Sequence, residues 1–174
     1  MEHLGMPFTV MSADIDERAI RYDDPRELTR AIARAKADAL LAQIKDEALL
    51  ITADTVVVCG DKIREKAATP EEAAHFLREY GFSPLQIVSA VVVTNTLTHE
   101  QREGGDVATV WFRAMPEVAI TEMVSKSDIC NFAGAFGFQD PLQRSFIERF
   151  DGEEESILAL PKALTLRLLK ELGA

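Results

Sequence analysis

The chain has 174 residues, 47% of them apolar and 28% charged, with a formal net charge of −10. That length suits one compact domain spanning 1–174, and the acidic balance argues against a nucleic-acid polymer as partner, which calls for a basic stripe. Two cysteines, Cys59 and Cys130, stand far apart in no CxxC pattern and are expected to be reduced thiols in a cytoplasmic setting. No apolar run reaches membrane-spanning length, and MEHLGMPFTV lacks the basic-then-apolar layout of a signal peptide.

In chain order, PFTVMSA (7–13) predicts a short strand and DIDERAIRYDD a polar loop. Residues 24–44 carry strong helix-start signals: Asp24 as N-cap, Pro25 in the first position and Glu27 completing a capping box. Leu28, Ile32, Ala35 and Ala39 recur at helical spacing as the expected buried stripe, with Lys36 at its edge. ALLITADTVVVC (48–59) is β-branched and apolar, the pattern of a central strand. Gly60-Asp61 turns the chain into KIRE, a short returning strand. TPEEAAHFLREYG repeats the helix signature, with Thr69 capping, Pro70 first, Glu72 third and Gly81 stopping it. LQIVSAVVVTNTLT (85–98) predicts a strand, HEQREGG a turn and DVATVWFRAM (106–115) its hairpin partner. A helix over 116–127, a glycine-rich loop over 131–141, a strand and turn over 144–152 and a helix over 159–173 complete an α/β or α+β domain with a mixed sheet.

Few residues invite chemistry. Asp54 interrupts an apolar run, and a carboxylate is costly to bury unless it is paired, protonated or on a metal. It is either a functional acid or a strand-end Asp bonded to nearby backbone amides. Lys66 and Lys36 read first as surface lysines, Lys36 less so for its edge position. Glu17 lies in DIDE, where three acids in four residues are either solvated or oxygen ligands for a hard cation. Gly134 and Gly137 in AGAFGFQD let backbone amides approach a ligand, and Gln139 is either a substrate contact or a loop amide. Cys59 reads as a core thiol. His3, His75 and His99 fit no metal spacing, and no Ser-His-Asp arrangement is readable.

In this order, DIDERAIR, ARAKADALL, ITADTVVV, IREKAATPEEA, AGAFGFQ and ALPKALTLRLL make the chain resemble the Maf family of nucleotide pyrophosphatases. The ITADTVVV…IREK wording and the LPKALT tail look most like plant-type and other eukaryotic members. The resemblance implies an α/β fold of the Maf/inosine-triphosphatase type, an elongated mixed sheet flanked by helices with two lobes around a cleft. It implies hydrolysis of nucleoside triphosphates to the monophosphate and pyrophosphate. Asp54 then matches the catalytic acid, Glu17 and Asp54 help place Mg²⁺ or Mn²⁺, and Lys36, Lys66 and Gln139 match substrate-side residues. ADT with AGAFGFQ looks closer to the branch using dTTP and UTP than to the branch acting on methylated GTP. A homodimer is expected.

The chain also departs from the family pattern. Its opening residues resemble the segment downstream of the family's first strand and phosphate-binding SxSPRR-like loop. Lys66-Ala67 stands for Lys-Pro, Asn131-Phe132 for Asp-Lys, Ala159-Leu160-Pro161 for Gly-Leu-Pro and Tyr80-Gly81-Phe82 for a Ser-Gly region. Three readings stay open here: an active pyrophosphatase with weakened phosphate binding, a shortened version of an active enzyme, and a catalytically weak nucleotide-binding or interaction protein.

Overall fold

The computed structural model describes residues 6–126 and 128–173; His3 lies outside them. Among the described residues, six α-helices and five strands occur in the order α1 (Pro25–Leu41), β1 (Leu49–Cys59), β2 (Lys62–Arg64), α2 (Pro70–Glu79), β3 (Leu85–Asn95), β4 (Gln101–Phe112), α3 (Glu117–Val124), α4 (Pro141–Ser145), β5 (Ile147–Asp151), α5 (Glu154–Ile157) and α6 (Lys162–Glu171). The strands are hydrogen-bonded in the order β2-β1-β3-β4-β5.

The α/β class stands, but the strand directions do not mix. β1 and β2 are antiparallel, as are β4 and β5. Along β1 and β3, Ala48 meets Thr96 while Thr55 meets Ser89, so partner numbers fall as residue numbers rise. Asn95 and Glu100 close the β3–β4 hairpin. Antiparallel strands need only short connections, and a five-residue turn suffices here.

The helix starts agree with the signals in the sequence. The Asp24 carboxylate accepts from the Arg26 amide at 2.8 Å and Pro25 opens α1. Glu27 does not close a capping box; its carboxylate takes Arg30 at 2.8 Å. Thr69 accepts from the Glu72 amide at 3.2 Å, and the Glu72 carboxylate reaches back to the Ala68 amide at 2.7 Å. The buried stripe of α1 is Leu28, Thr29, Ile32, Ala33, Ala37 and Leu40; Ala35 and Ala39 flank it and are less enclosed.

Three expectations shift. Residues 7–13 form no strand: Met6, Phe8, Val10 and Met11 remain exposed, and no neighbouring strand among the described residues supplies a ladder. β4 begins at Gln101 rather than 106, because the turn is tighter than HEQREGG suggested. The Asn95 side chain accepts from the Leu97 and Thr98 amides, and His99 takes φ 61°, so the chain reverses within 96–100. The stretch before β5 is helical, since Asp140 caps α4 and Pro141 opens it.

The described residues fall into two compact units. Unit 1 takes the chain up to Thr55, Val88–Asp106 and the chain from Glu153 onward. Its core has two faces. Ala33, Ala37 and Leu40 of α1 pack with Leu50, Ala90 and Val92; Leu168 and Leu169 of α6 pack with Val91 and Val93. Unit 2 takes Val56–Ile87 and Val107–Gly152. Its interior is aromatic: Tyr80 stacks on Phe112, and Phe136 meets Phe112 edge-on at 6.0 Å. Cys59 and Cys130 are free thiols. Burial pushes the Cys59 thiol up, which suits a packed thiol better than a nucleophile. No helix among the described residues is long and apolar enough to cross a membrane.

Candidate active site

The site in unit 1 starts from Thr52. Its hydroxyl donates to the Ala33 carbonyl at 2.8 Å and is buried. That bond fixes α1 against β1, and Ala33 and Ala37, both fully buried, let the helix come close. Two residues along the strand, on the same face, is Asp54. One turn along the helix is Lys36. The Lys36 ammonium donates to Asp54 Oδ1 at 2.8 Å.

The same ammonium lies 2.8 Å from Glu17 Oε1 and donates to the Ala53 carbonyl at 3.4 Å. Glu17 is delivered by a single 3-10 turn, Glu17–Ala19, in which the Asp16 carboxylate accepts from the Arg18 amide. Two carboxylates and a carbonyl thus converge on one cation. The Asp54 side chain is 11% exposed, Lys36 20% and Glu17 51%, so the acid is the enclosed member and Glu17 the open one.

Burial pushes the Asp54 carboxyl above its ordinary value; the Lys36 hydrogen bond and charge offset part of that, and the Glu17 charge adds to it. Burial alone would lower Lys36, but its bonds to Asp54 and Glu17 outweigh that and hold it above the usual lysine value. The lysine is therefore firmly charged, while the acid accepts a proton more readily than a solvent-exposed aspartate does.

Lys66 and Gln139 belong to unit 2. Lys66 is exposed and forms an antiparallel bridge with Ala133, and the Gly134 amide donates to the Glu65 carbonyl at 2.9 Å, so Lys66 is tied to the glycine loop. Gln139 sits exposed in that loop. The amide that organises the loop is Gln143, which is fully buried. It donates to the Ala135 carbonyl and accepts from the Gly137 amide, each at 3.0 Å.

A family model described as "Maf-like protein" matches residues 1–172. The chain belongs to the Maf family. Over 177 residues it is 38% identical to the 7-methyl-GTP pyrophosphatase of Dictyostelium discoideum, covering 98% of this chain and 89% of that one. It is 33% identical to the dTTP/UTP pyrophosphatase of Deinococcus radiodurans, covering 98% and 85%, and 30% identical to the nucleoside triphosphate pyrophosphatase of a Synechococcus strain, covering 99% and 87%.

In this Maf-family chain, the Glu17, Lys36 and Asp54 anticipated from the sequence do meet. Thr52, Thr55 and Ser89 were not anticipated. Thr55 and Ser89 share a 2.8 Å hydrogen bond on the opposite face of β1, where Thr55 also reaches the Ala159 carbonyl at 3.4 Å. The signal for Ser89 was present, as the one hydroxyl within IVSAVVV. No group of three or more metal-ligating side chains occurs among the described residues. Asp16, also in DIDE, is spent on its own turn. Beside the cluster, unit 1 holds a cavity of about 1130 Å³ walled by Phe8, Met11, Ile44, Ile51, Ala53 and Leu160 among others.

Proposed function

We propose that the protein is a nucleoside triphosphate pyrophosphatase. Water attacks the α-phosphorus, the bond to the bridging oxygen breaks, and the products are the nucleoside monophosphate and pyrophosphate. The observation that carries this reading is the enclosed Asp54 carboxylate, placed against Lys36 in a chain whose relatives along nearly its whole length are named pyrophosphatases. Asp54 takes the proton from the attacking water; its upward shift makes it a better base than an exposed aspartate. Phosphoryl transfer asks mainly for positioning and charge neutralisation. Lys36 supplies a contact to the substrate; Lys66, bridged to the glycine loop, and Gln139 within that loop are the residues of unit 2 that the family resemblance assigns to the substrate.

The donor chemistry suits a hard divalent ion. Carboxylate oxygens of Glu17 and Asp54, with the Ala53 carbonyl, already surround a cation, the lysine ammonium. Glu17 and Asp54 would hold Mg²⁺ or Mn²⁺, with water and phosphate oxygens completing the shell. Such an ion offsets phosphate charge.

Two substrate readings have support. The ADT and AGAFGFQ wording favours dTTP and UTP; the 38% identity to the Dictyostelium enzyme favours 7-methyl-GTP. The deciding experiment measures pyrophosphate release from dTTP, UTP, GTP and 7-methyl-GTP with Mg²⁺, beside Asp54→Asn. The wild type is expected to turn over one of these classes, and the variant to lose about 10²- to 10⁴-fold, the usual worth of a positioned base. Folded protein inactive on every nucleotide would reject the enzyme. Full turnover in Asp54→Asn would reject Asp54 as base. The homodimer belongs to the same proposal and is read by light scattering.

A further inference from the structure

Lys36 presents three hydrogens, and three oxygens take them: Glu17 Oε1 and Asp54 Oδ1 at 2.8 Å and the Ala53 carbonyl at 3.4 Å. An ammonium has no other donors to offer. The lysine is therefore saturated inside the protein and, in this arrangement, has nothing left for a phosphate. It also occupies the point on which the two carboxylates converge. A divalent ion held by those carboxylates would sit a few ångströms from a fixed positive charge. In a partly enclosed site, two like charges that close together repel strongly.

From this geometry we infer that Lys36 is an internal stand-in cation that exchanges with the divalent metal. The inference rests on the proposed nucleotide pyrophosphatase reading. Without nucleotide, the ammonium neutralises Glu17 and Asp54 and keeps the metal weakly bound. A triphosphate offers the ammonium an alternative set of anionic oxygens. Lys36 turns to them, the two carboxylates are released, and the metal takes its place. The side chain can make this move: it is long, it is 20% exposed, and its anchor in α1 is fixed independently by the Thr52–Ala33 bond. Glu17 can move with it, because its side chain is half exposed on a single 3-10 turn. Metal and nucleotide then bind with positive coupling, and by linkage each strengthens the other equally.

The exchange separates Lys36 from an ordinary phosphate-binding lysine. Removing an ordinary one weakens nucleotide binding and leaves the metal alone. Removing Lys36 should weaken nucleotide binding and strengthen metal binding in the nucleotide-free protein. Mn²⁺ affinity, read by electron paramagnetic resonance on the 174-residue chain, tests this without turnover. Lys36→Met is expected to bind Mn²⁺ about tenfold more tightly than wild type, which corresponds to about 1.4 kcal/mol of the repulsion being recovered. In the wild type, a non-hydrolysable triphosphate should tighten Mn²⁺ by a similar factor, and in Lys36→Met that enhancement should shrink. The wild-type arm needs no variant and so stands even if Lys36→Met folds poorly. Mn²⁺ affinity in folded Lys36→Met equal to or below wild type overturns the exchange, even in a protein that hydrolyses nucleotides. So does a wild-type Mn²⁺ affinity indifferent to the triphosphate. Absent pyrophosphate release overturns the hydrolytic reading instead, and tighter Mn²⁺ in Lys36→Met would then still support the exchange.

Discussion

Asp54 is governed by two opposed influences. Burial raises its pKa, and the Lys36 hydrogen bond and charge pull it back. A base works only when deprotonated, so the acid limb of the pH–rate profile tracks this pKa. In the wild type that limb should lie above the range of an exposed aspartate. Lys36→Met removes the main lowering influence and leaves burial and the Glu17 charge opposed only by the Thr55 backbone bond, so the limb should move to still higher pH. Glu17→Gln removes a raising influence on Asp54 and should move it the other way, less far, because Glu17 is half exposed and screened. Profiles of kcat/KM in all three proteins, which report the groups of the free enzyme, check the order. The same shift bears on stability. A carboxyl whose folded pKa is raised binds its proton more tightly in the native state. Its contribution is present below the unfolded value and is lost as pH rises through the folded one. Asp54 therefore costs stability in the ionised form that catalysis requires. A Glu17→Gln limb at higher pH than wild type would show that Glu17 does not act on Asp54 through its charge.

At the level of elements, the legible parts were those with local causes. Asp24-Pro25 and Thr69-Pro70 announce α1 and α2 because a cap acts on amides two or three residues away. PFTVMSA reads as a short strand, yet a strand needs a partner, and the partner is not encoded in the stretch itself. Asp54 was conspicuous as an acid in an apolar run, but its meeting with Lys36 depends on Thr52 gripping Ala33, a tertiary bond 19 residues long in sequence. Only the family resemblance joined those residues in advance. This division makes a prediction. Thr69→Ala removes a cap worth roughly 0.5–2 kcal/mol. Thr52→Val removes a hydrogen bond worth roughly 0.5–1.5 kcal/mol while keeping the side chain's shape. Urea denaturation should find the two variants comparably destabilised. Turnover should separate them: Thr52→Val loosens the register that presents Lys36 to Asp54 and should lower kcat, whereas Thr69→Ala uncaps a helix in unit 2 and should leave kcat near wild type. Equal kcat in both variants would remove Thr52 from the positioning of the site.

For the molecule as a whole, the two compact units pose the question of whether they unfold separately. Chain connectivity argues that they do not. β1, β3 and β4 each contribute residues to both units, with the divisions falling after Thr55, before Val88 and after Asp106. Neither unit owns a complete set of strands, so melting one removes part of each shared strand from its ladder. A single calorimetric transition is therefore expected, with the calorimetric and van't Hoff enthalpies equal. Nucleotide sharpens the test. A ligand that binds only the native state stabilises it by about 2.7 kcal/mol at roughly one hundred times its Kd. For a chain of this size, each kcal/mol moves Tm by about 2–4 °C. The preferred triphosphate with Mg²⁺, used with Asp54→Asn to prevent hydrolysis, should then raise Tm by roughly 5–10 °C and move the whole transition together. Two resolved transitions, only one of them responding to nucleotide, would mean that the shared strands do not couple the units.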